Sequence, residues 1–66
     1  MEIEDELYEE AVKITQARET VSISYIQRRL RVGYNRAANM VESMERSGIV
    51  GPPEVDAGRK VLIQSS

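Results

Sequence analysis

The amino-acid sequence predicts a mainly α-helical domain with a small β-hairpin, and three observations point to that class. Apolar residues recur at helical spacing over residues 5–18, again up to about Leu30, and over residues 33–47. A glycine-containing turn at residues 31–34 joins the second and third of these segments. Two β-branched runs after the third segment flank a loop rich in glycine and proline. The order helix, short strand, helix, helix, hairpin is that of a winged helix-turn-helix.

Length and composition limit the possible chemistry. The 66 residues predict one small domain, with residues 1–3 and 64–66 as flexible ends, and suggest a piece of a larger protein. Without histidine or cysteine, neither a Ser-His or Cys-His nucleophile nor a usual zinc site can be built. The sequence has no glycine-rich nucleotide loop, no membrane-spanning run and no signal peptide. We therefore expect a non-enzymatic domain that uses no cofactor and no metal.

The net charge of −2 hides a strong segregation of charge along the chain. Residues 1–10 hold six acids and no base, whereas residues 11–66 hold nine bases against five acids, a net charge of +4. Residues 28–36 contain four arginines and no acid. Because a polyanion responds to the local field more than to the total charge, this distribution is compatible with nucleic-acid binding.

The first helix is predicted over residues 5–18, because Leu7, Ala11 and Ile14 share one face. Its first two turns are acidic, and negative charge is favourable at the N-terminus of a helix. The acids could also serve a cation or a basic partner protein, but a solvated helix start is the simpler interpretation. Residues 20–22 are β-branched or polar and predict a brief strand.

The second helix is predicted to run to about Leu30. Its N-cap is either Ser22 or Ser24, and Ser24 forms a capping-box spacing with Gln27. The buried stripe consists of Ile23, Ile26 and Leu30. Arginines crowd the exposed C-terminal end, where they suit either the helix dipole or a phosphate; these are Arg28, Arg29 and Arg31. Gly33, in the following turn, can take a left-handed conformation.

The third helix separates its side chains into two faces and is closed by Gly48 as a C′ glycine. The apolar side holds Tyr34, Ala37, Ala38, Met40, Val41 and Met44, with Glu45 as its one charge. The opposite arc holds Asn35, Arg36, Asn39, Glu42, Ser43 and Arg46. Asn, Arg and Glu are side chains that can bind base edges in a major groove. The predicted base-reading residues are Asn35, Arg36, Asn39 and Glu42.

A wing is predicted after this helix, with strands at residues 49–50 and 59–63 and a loop at residues 51–58. Arg59 and Lys60 lie where a wing would meet the DNA backbone or minor groove; charge that protects an edge strand is the alternative interpretation. Gly33 would let the N-terminus of the third helix approach a phosphate. The predicted DNA-backbone contacts are Arg28, Arg31, Gly33, Arg59 and Lys60.

Several motifs resemble those of one protein family. Residues 5–12 are similar to a D-x-L-Y-x-x-A-V opening, and residues 32–38 read V-G-Y-N-R-A-A, close to I-G-Y-N-R-A-A. Residues 48–50 (G-I-V) and 58–59 (G-R) continue the similarity. On these motifs the chain resembles the C-terminal gamma domain of FtsK/SpoIIIE-type bacterial DNA translocases. At matching positions stand Asn35, Arg36 and Glu42 on the recognition helix, Arg28 on the second helix and Arg59 in the wing.

The resemblance implies a winged helix that binds short, polar, guanine-rich motifs in double-stranded DNA. It implies a tether to the motor domains of a hexameric ATP-driven translocase, which the domain helps to load and orient in chromosome segregation and cell division. It also implies, in some members, activation of a tyrosine recombinase. The domain would be cytoplasmic without membrane contact, and the parent anchored in the inner membrane at the septum. Asn39 replaces a more usual arginine and Lys60 a more usual glutamate, so the preferred motif could differ.

Two other functions fit the same residues. A winged helix that only docks a partner protein would direct its arginines at an acidic surface and would not bind DNA. A dimeric transcription repressor is less favoured, because the sequence has no extra helix to form a dimer interface.

Overall fold

The computed structural model describes residues 6–54 and 58–64. Its elements are helix α1 (Tyr8–Gln16), strand β1 (Thr20–Val21), helix α2 (Ile23–Leu30), helix α3 (Tyr34–Arg46) and strand β2 (Arg59–Lys60). Three helices with a small antiparallel sheet confirm the predicted fold class and are consistent with a winged helix-turn-helix. Of the predicted flexible ends, residues 1–3 and residues 65–66 of the end at 64–66 lie outside the described residues, as do the helix start at Asp5 and loop residues 55–57.

The first helix is shorter than predicted. It ends at Gln16, because the chain turns there: the Ala17 N–H donates to the Ile14 carbonyl at 3.3 Å and the Arg18 N–H to the Thr15 carbonyl at 3.0 Å. This turn directs the chain into β1. Leu7 and Ile14 are half-buried and Ala11 is buried, as the helical spacing predicted.

The limits of α2 and α3 follow from local capping chemistry. Ser22 is the N-cap of α2, since its Oγ accepts a hydrogen bond from the Tyr25 N–H at 3.0 Å, which decides between the two serines. At the end of α3, Gly48 is left-handed with φ +80°. The Gly48 N–H donates to the Glu45 carbonyl at 3.0 Å and the Ile49 N–H to the Met44 carbonyl at 2.8 Å. These two bonds form a Schellman motif, so the predicted C′ glycine is confirmed.

The sheet differs from the predicted hairpin. β2 pairs antiparallel with β1, with Val21 opposite Arg59. The predicted strand at residues 49–50 is reduced to one bridge between Val50 and Val61. Beyond this bridge the chain bends, because the Leu62 and Ile63 N–H groups both point to the Ile49 carbonyl at 2.8 and 3.4 Å. Residues 59–61, the second strand of the wing, therefore lie between β1 and Val50.

The core lies between the three helices and the sheet, and α3 contributes most to it. Side chains from the three helices, from β1 and from the bridge between Val50 and Val61 are buried in one cluster: Ala11, Val21, Ile26, Ala37, Met40, Val41, Met44, Val50 and Val61. Burial of the apolar stripe of α3 fixes the direction of its other face, which is left for solvent. Within the described ranges, no helix has the length and apolar character needed to cross a membrane.

Candidate nucleic-acid interface

The exposed face of α3 carries the four side chains predicted to contact bases. Asn35, Asn39 and Glu42 recur at i, i+4 and i+7, and Arg36 lies beside them; all four are exposed. The opposite side of the same helix is buried through Ala37, Met40, Val41 and Met44. We call the four exposed side chains the α3 ridge. Their direction is fixed by core packing and does not depend on a flexible loop.

Two side chains of α3 do not follow the predicted division. Ser43 was assigned to the polar arc but is buried, with only 5% of its surface exposed. Tyr34 was assigned to the apolar side but is 56% exposed, because it is the first residue of α3 and lies beyond the edge of the core. An exposed tyrosine therefore adjoins the α3 ridge at its N-terminal end, a feature that helical periodicity alone missed.

Glu45, the single charge on the apolar side of α3, has a specific partner. Its Oε1 accepts a hydrogen bond from Nη1 of Arg59 in an ion pair. Arg59 is only 8% exposed, and the same Nη1 also points at the Gly51 carbonyl at 3.4 Å. The guanidinium of Arg59 is thus directed inward and ties α3 to the wing. This is not the exposed position that the predicted backbone contact assumed.

The turn between α2 and α3 also differs from the prediction. Gly33 has extended backbone, with φ −71° and ψ 165°, and serves as the N-cap of α3. The left-handed residue is Arg31, with φ 56° and ψ 48°, and the Val32 N–H donates to the Gln27 carbonyl at 3.2 Å. A Cβ built on Gly33 meets nothing within 4 Å. Gly33, Tyr34 and Asn35 are all exposed, so the N-terminus of α3 is open to approach.

Arg31 is predicted to hold backbone strain that glycine would relieve. A side chain in the left-handed region costs about 1 kcal/mol or more, so Arg31→Gly should raise the free energy of unfolding by about 1 kcal/mol. Urea denaturation measures this. Arg28→Gly is the matched control, because it removes the same charge from inside α2, where glycine should lower stability by about 1 kcal/mol. A lower urea midpoint for Arg31→Gly would contradict the strain assignment.

Other basic side chains remain available around the ridge. Arg28, Arg31 and Lys60 are exposed, and no ion pair found within the described part of the chain involves them. Lys60 is next to Arg59 on β2, and successive side chains of a strand point to opposite faces. That alternation explains why Lys60 is exposed while Arg59 is buried.

A cluster that the sequence reasoning missed lies around Tyr25 of α2 and includes Arg18 from the turn after α1. The guanidinium carbon of Arg18 is 3.9 Å from the ring centroid of Tyr25, and Nη1 of Arg29 donates to the Tyr25 hydroxyl at 2.6 Å. Partial burial raises the pKa of Tyr25, but the hydrogen bond from Arg29 and the charges of Arg29 and Arg18 outweigh it, so the pKa lies below 10.0. The i, i+4 spacing of Tyr25 and Arg29 was a signal for part of this cluster.

Comparison with known proteins shows which family the chain belongs to. The family model described as the FtsK gamma domain matches residues 2–64. The chain belongs to that family. The gamma domain is 53% identical over 62 residues to DNA translocase FtsK of Bacillus cereus and 52% over 61 residues to DNA translocase FtsK of Rickettsia typhi. It is 48% identical over 62 residues to DNA translocase SpoIIIE of Bacillus subtilis.

The gamma domain is a small part of each of these relatives. The alignments cover 94%, 92% and 94% of the chain, respectively, but only 8% of each relative.

Proposed function

We propose that this gamma domain binds duplex DNA by placing α3 in the major groove, as the DNA-recognition module of a translocase. The exposed α3 ridge is the observation that carries the proposal. It presents amide, guanidinium and carboxylate groups on one face of a helix whose other face is buried. Such groups bind adenine, guanine and cytosine edges. Family membership makes DNA the natural ligand, since the relatives are named DNA translocases.

The roles divide between base reading and positioning. Asn35, Arg36, Asn39 and Glu42 read base edges in this proposal. Arg28, Arg31 and Lys60 hold phosphates and fix the register, and the open N-terminus at Gly33 approaches another phosphate. Arg59 supports the wing from inside and makes no DNA contact, because its guanidinium is buried against Glu45.

The biological role follows the family. The domain recognises short, polar, guanine-rich motifs and helps to load and orient the motor domains of its parent hexamer during chromosome segregation. The domain itself catalyses no reaction. It lies in the cytoplasm, and its parent translocase is anchored in the inner membrane at the septum. Activation of a tyrosine recombinase is part of the same proposal. Asn39, an amide on the α3 ridge, favours adenine at its position in the motif.

One domain offers few contacts, so specificity on chromosomal DNA depends on several copies. Linked copies on adjacent sites raise the overall affinity without any new contact. A hexameric parent would supply these copies.

Arg36→Ala and Lys60→Ala test the division of roles on a duplex selected from a random pool and on its scrambled version. Arg36→Ala should lose about 1–3 kcal/mol of discrimination between them, because a base contact is removed. Lys60→Ala should weaken both duplexes equally and lower the salt dependence of log K by about one unit, because only a phosphate contact is removed. Fluorescence anisotropy at several salt concentrations measures both.

Equal losses on the two duplexes for Arg36→Ala would show that Arg36 does not read bases. If the wild-type domain retained no duplex at low salt and instead bound a protein in a salt-resistant manner, the docking-module alternative would replace DNA binding.

A further inference from the structure

Tyr25 of α2 contacts the guanidinium groups of two arginines, Arg29 of the same helix and Arg18 of the turn after α1. The Arg18 guanidinium lies over the ring face, and its Nε donates to the Thr20 carbonyl at 2.9 Å. The Arg29 guanidinium lies 5.6 Å from the ring centroid and donates to the Tyr25 hydroxyl. Contacts of this kind orient a guanidinium before any ligand binds, which reduces the entropy lost on binding. The tyrosine therefore positions two cations side by side.

Within residues 6–54 and 58–64, no acidic side chain pairs with the arginines of this cluster. No ion pair in the described part of the chain involves Arg18 or Arg29, and both side chains are exposed. The sequence has no Asp or Glu between Glu19 and Glu42. Each guanidinium carries five N–H donors, and only one from each is used in the contacts above. The remaining donors could bind an anion with several oxygens.

We propose that Arg18, Tyr25 and Arg29 form a second phosphate-binding site, which extends the contact of the domain along the duplex held by α3. The inference rests on the proposed function. We name these three residues the Tyr25 cluster.

Two of the three cluster residues, Tyr25 and Arg29, lie on α2, and this position favours the backbone of the same duplex. Arg28 and Arg31, the proposed phosphate contacts, belong to the same helix and its C-cap. At 1.5 Å per residue, residues 25–31 span about 9 Å. One DNA strand carries a phosphate about every 3.4 Å along the axis, so this length corresponds to two or three phosphates. A planar guanidinium fork also matches phosphate oxygens well.

Charge-removing variants at the cluster test the proposal. Arg18→Gln and Arg29→Gln should each weaken binding to the selected and scrambled duplexes alike, by about 3- to 10-fold, and lower the salt dependence by about one unit. Tyr25→Phe should lose less, since the ring that supports Arg18 stays while the acceptor for Arg29 is removed. Lys13→Gln is the control, because it removes an equal charge from an exposed position on α1. Circular dichroism establishes that each variant is folded.

Duplex length gives a second measurement. Trimming the selected duplex at its ends should lower the DNA affinity of the wild-type domain more than that of the Arg18→Gln or Arg29→Gln variant, because the variants have already lost the outer contact.

The outcomes separate this proposal from the proposed function. If Arg18→Gln and Arg29→Gln bind like Lys13→Gln while Arg36→Ala still loses discrimination, the second site is overturned and the α3 ridge stands. If a Glu-rich peptide binds wild type but not the cluster variants, with duplex binding unchanged, the cluster is a protein site and the assignment to DNA is overturned. If the wild-type domain binds no duplex, both proposals fail.

Discussion

Gly58→Ala is expected to lower the free energy of unfolding by about 3 kcal/mol, from the cost of a left-handed side chain and of overpacking. Gly58 has φ +71°, and a Cβ added there would lie 2.6 Å from the Val21 carbonyl oxygen and 3.3 Å from its carbon. These are backbone atoms of β1, which pairs with β2. They can move only by breaking the sheet. Because a domain of this size is stable by roughly 3–10 kcal/mol, the loss is large.

Gly48→Ala provides the matched control for the Gly58 prediction. Gly48 is also left-handed, with φ +80°, but a Cβ added there meets nothing within 4 Å. Gly48→Ala should therefore lower the free energy of unfolding only by the cost of a left-handed side chain, about 1–2 kcal/mol. Urea denaturation of the two variants separates strain from steric conflict. Equal midpoints would show that β1 relaxes around the new methyl group and that the close approach is not rigid.

Local features of this fold could be predicted from the sequence because their causes lie within a few residues. α3 is closed at Gly48, where the Gly48 N–H donates to a carbonyl three residues earlier and the Ile49 N–H to one five residues earlier, and Ser22 caps α2 through the amide three residues later. The exposure of Asn35, Arg36 and Asn39 follows from helical periodicity in the same way. These features need no knowledge of the tertiary structure.

Features that depend on distant partners could not be predicted in this way. The pairing of β1 with β2 joins Val21 to Arg59, 38 positions apart, and neither segment contains a signal for the other. The burial of Arg59 depends on Glu45 of α3. In the sequence, Glu45 was the one charge on the apolar side of α3, and Arg59 was predicted to contact the DNA backbone. Only the folded chain shows that the two side chains form one ion pair.

The turn between α2 and α3 shows a different limit. Glycine is the residue that best tolerates left-handed backbone, which favoured Gly33 for that conformation. The structure places it at Arg31 instead, because α2 ends at Leu30 and the next residue must reverse the chain. The end of α2 at Leu30 therefore outweighed the preference of glycine for left-handed backbone. The same change leaves Gly33 free to act as the N-cap of α3, at the end of the helix proposed to approach a phosphate.

Arg59→Ala is expected to lower the free energy of unfolding by about 2 kcal/mol without reducing the number of phosphate contacts. Breaking a fully buried ion pair costs about 3–5 kcal/mol, but the Glu45 side chain is 39% exposed and keeps part of its hydration, so the expected loss is smaller. The Gly51 carbonyl also loses a donor. Lys60→Ala, one residue along the same strand, should have the opposite effects: the free energy of unfolding should stay unchanged, and the salt dependence of DNA binding should decrease.

Denaturation of Arg59→Ala, combined with DNA titrations well below its melting temperature, distinguishes an internal support from a DNA contact. A double-mutant cycle with Glu45→Gln gives the coupling between the two side chains. Strong coupling with unchanged salt dependence would place Arg59 inside the wing, where it holds α3 and the sheet in one orientation. Unchanged stability with a reduced salt dependence would instead place it on the phosphates. The α3 ridge would then have lost its proposed internal support, and the wing would be a binding element.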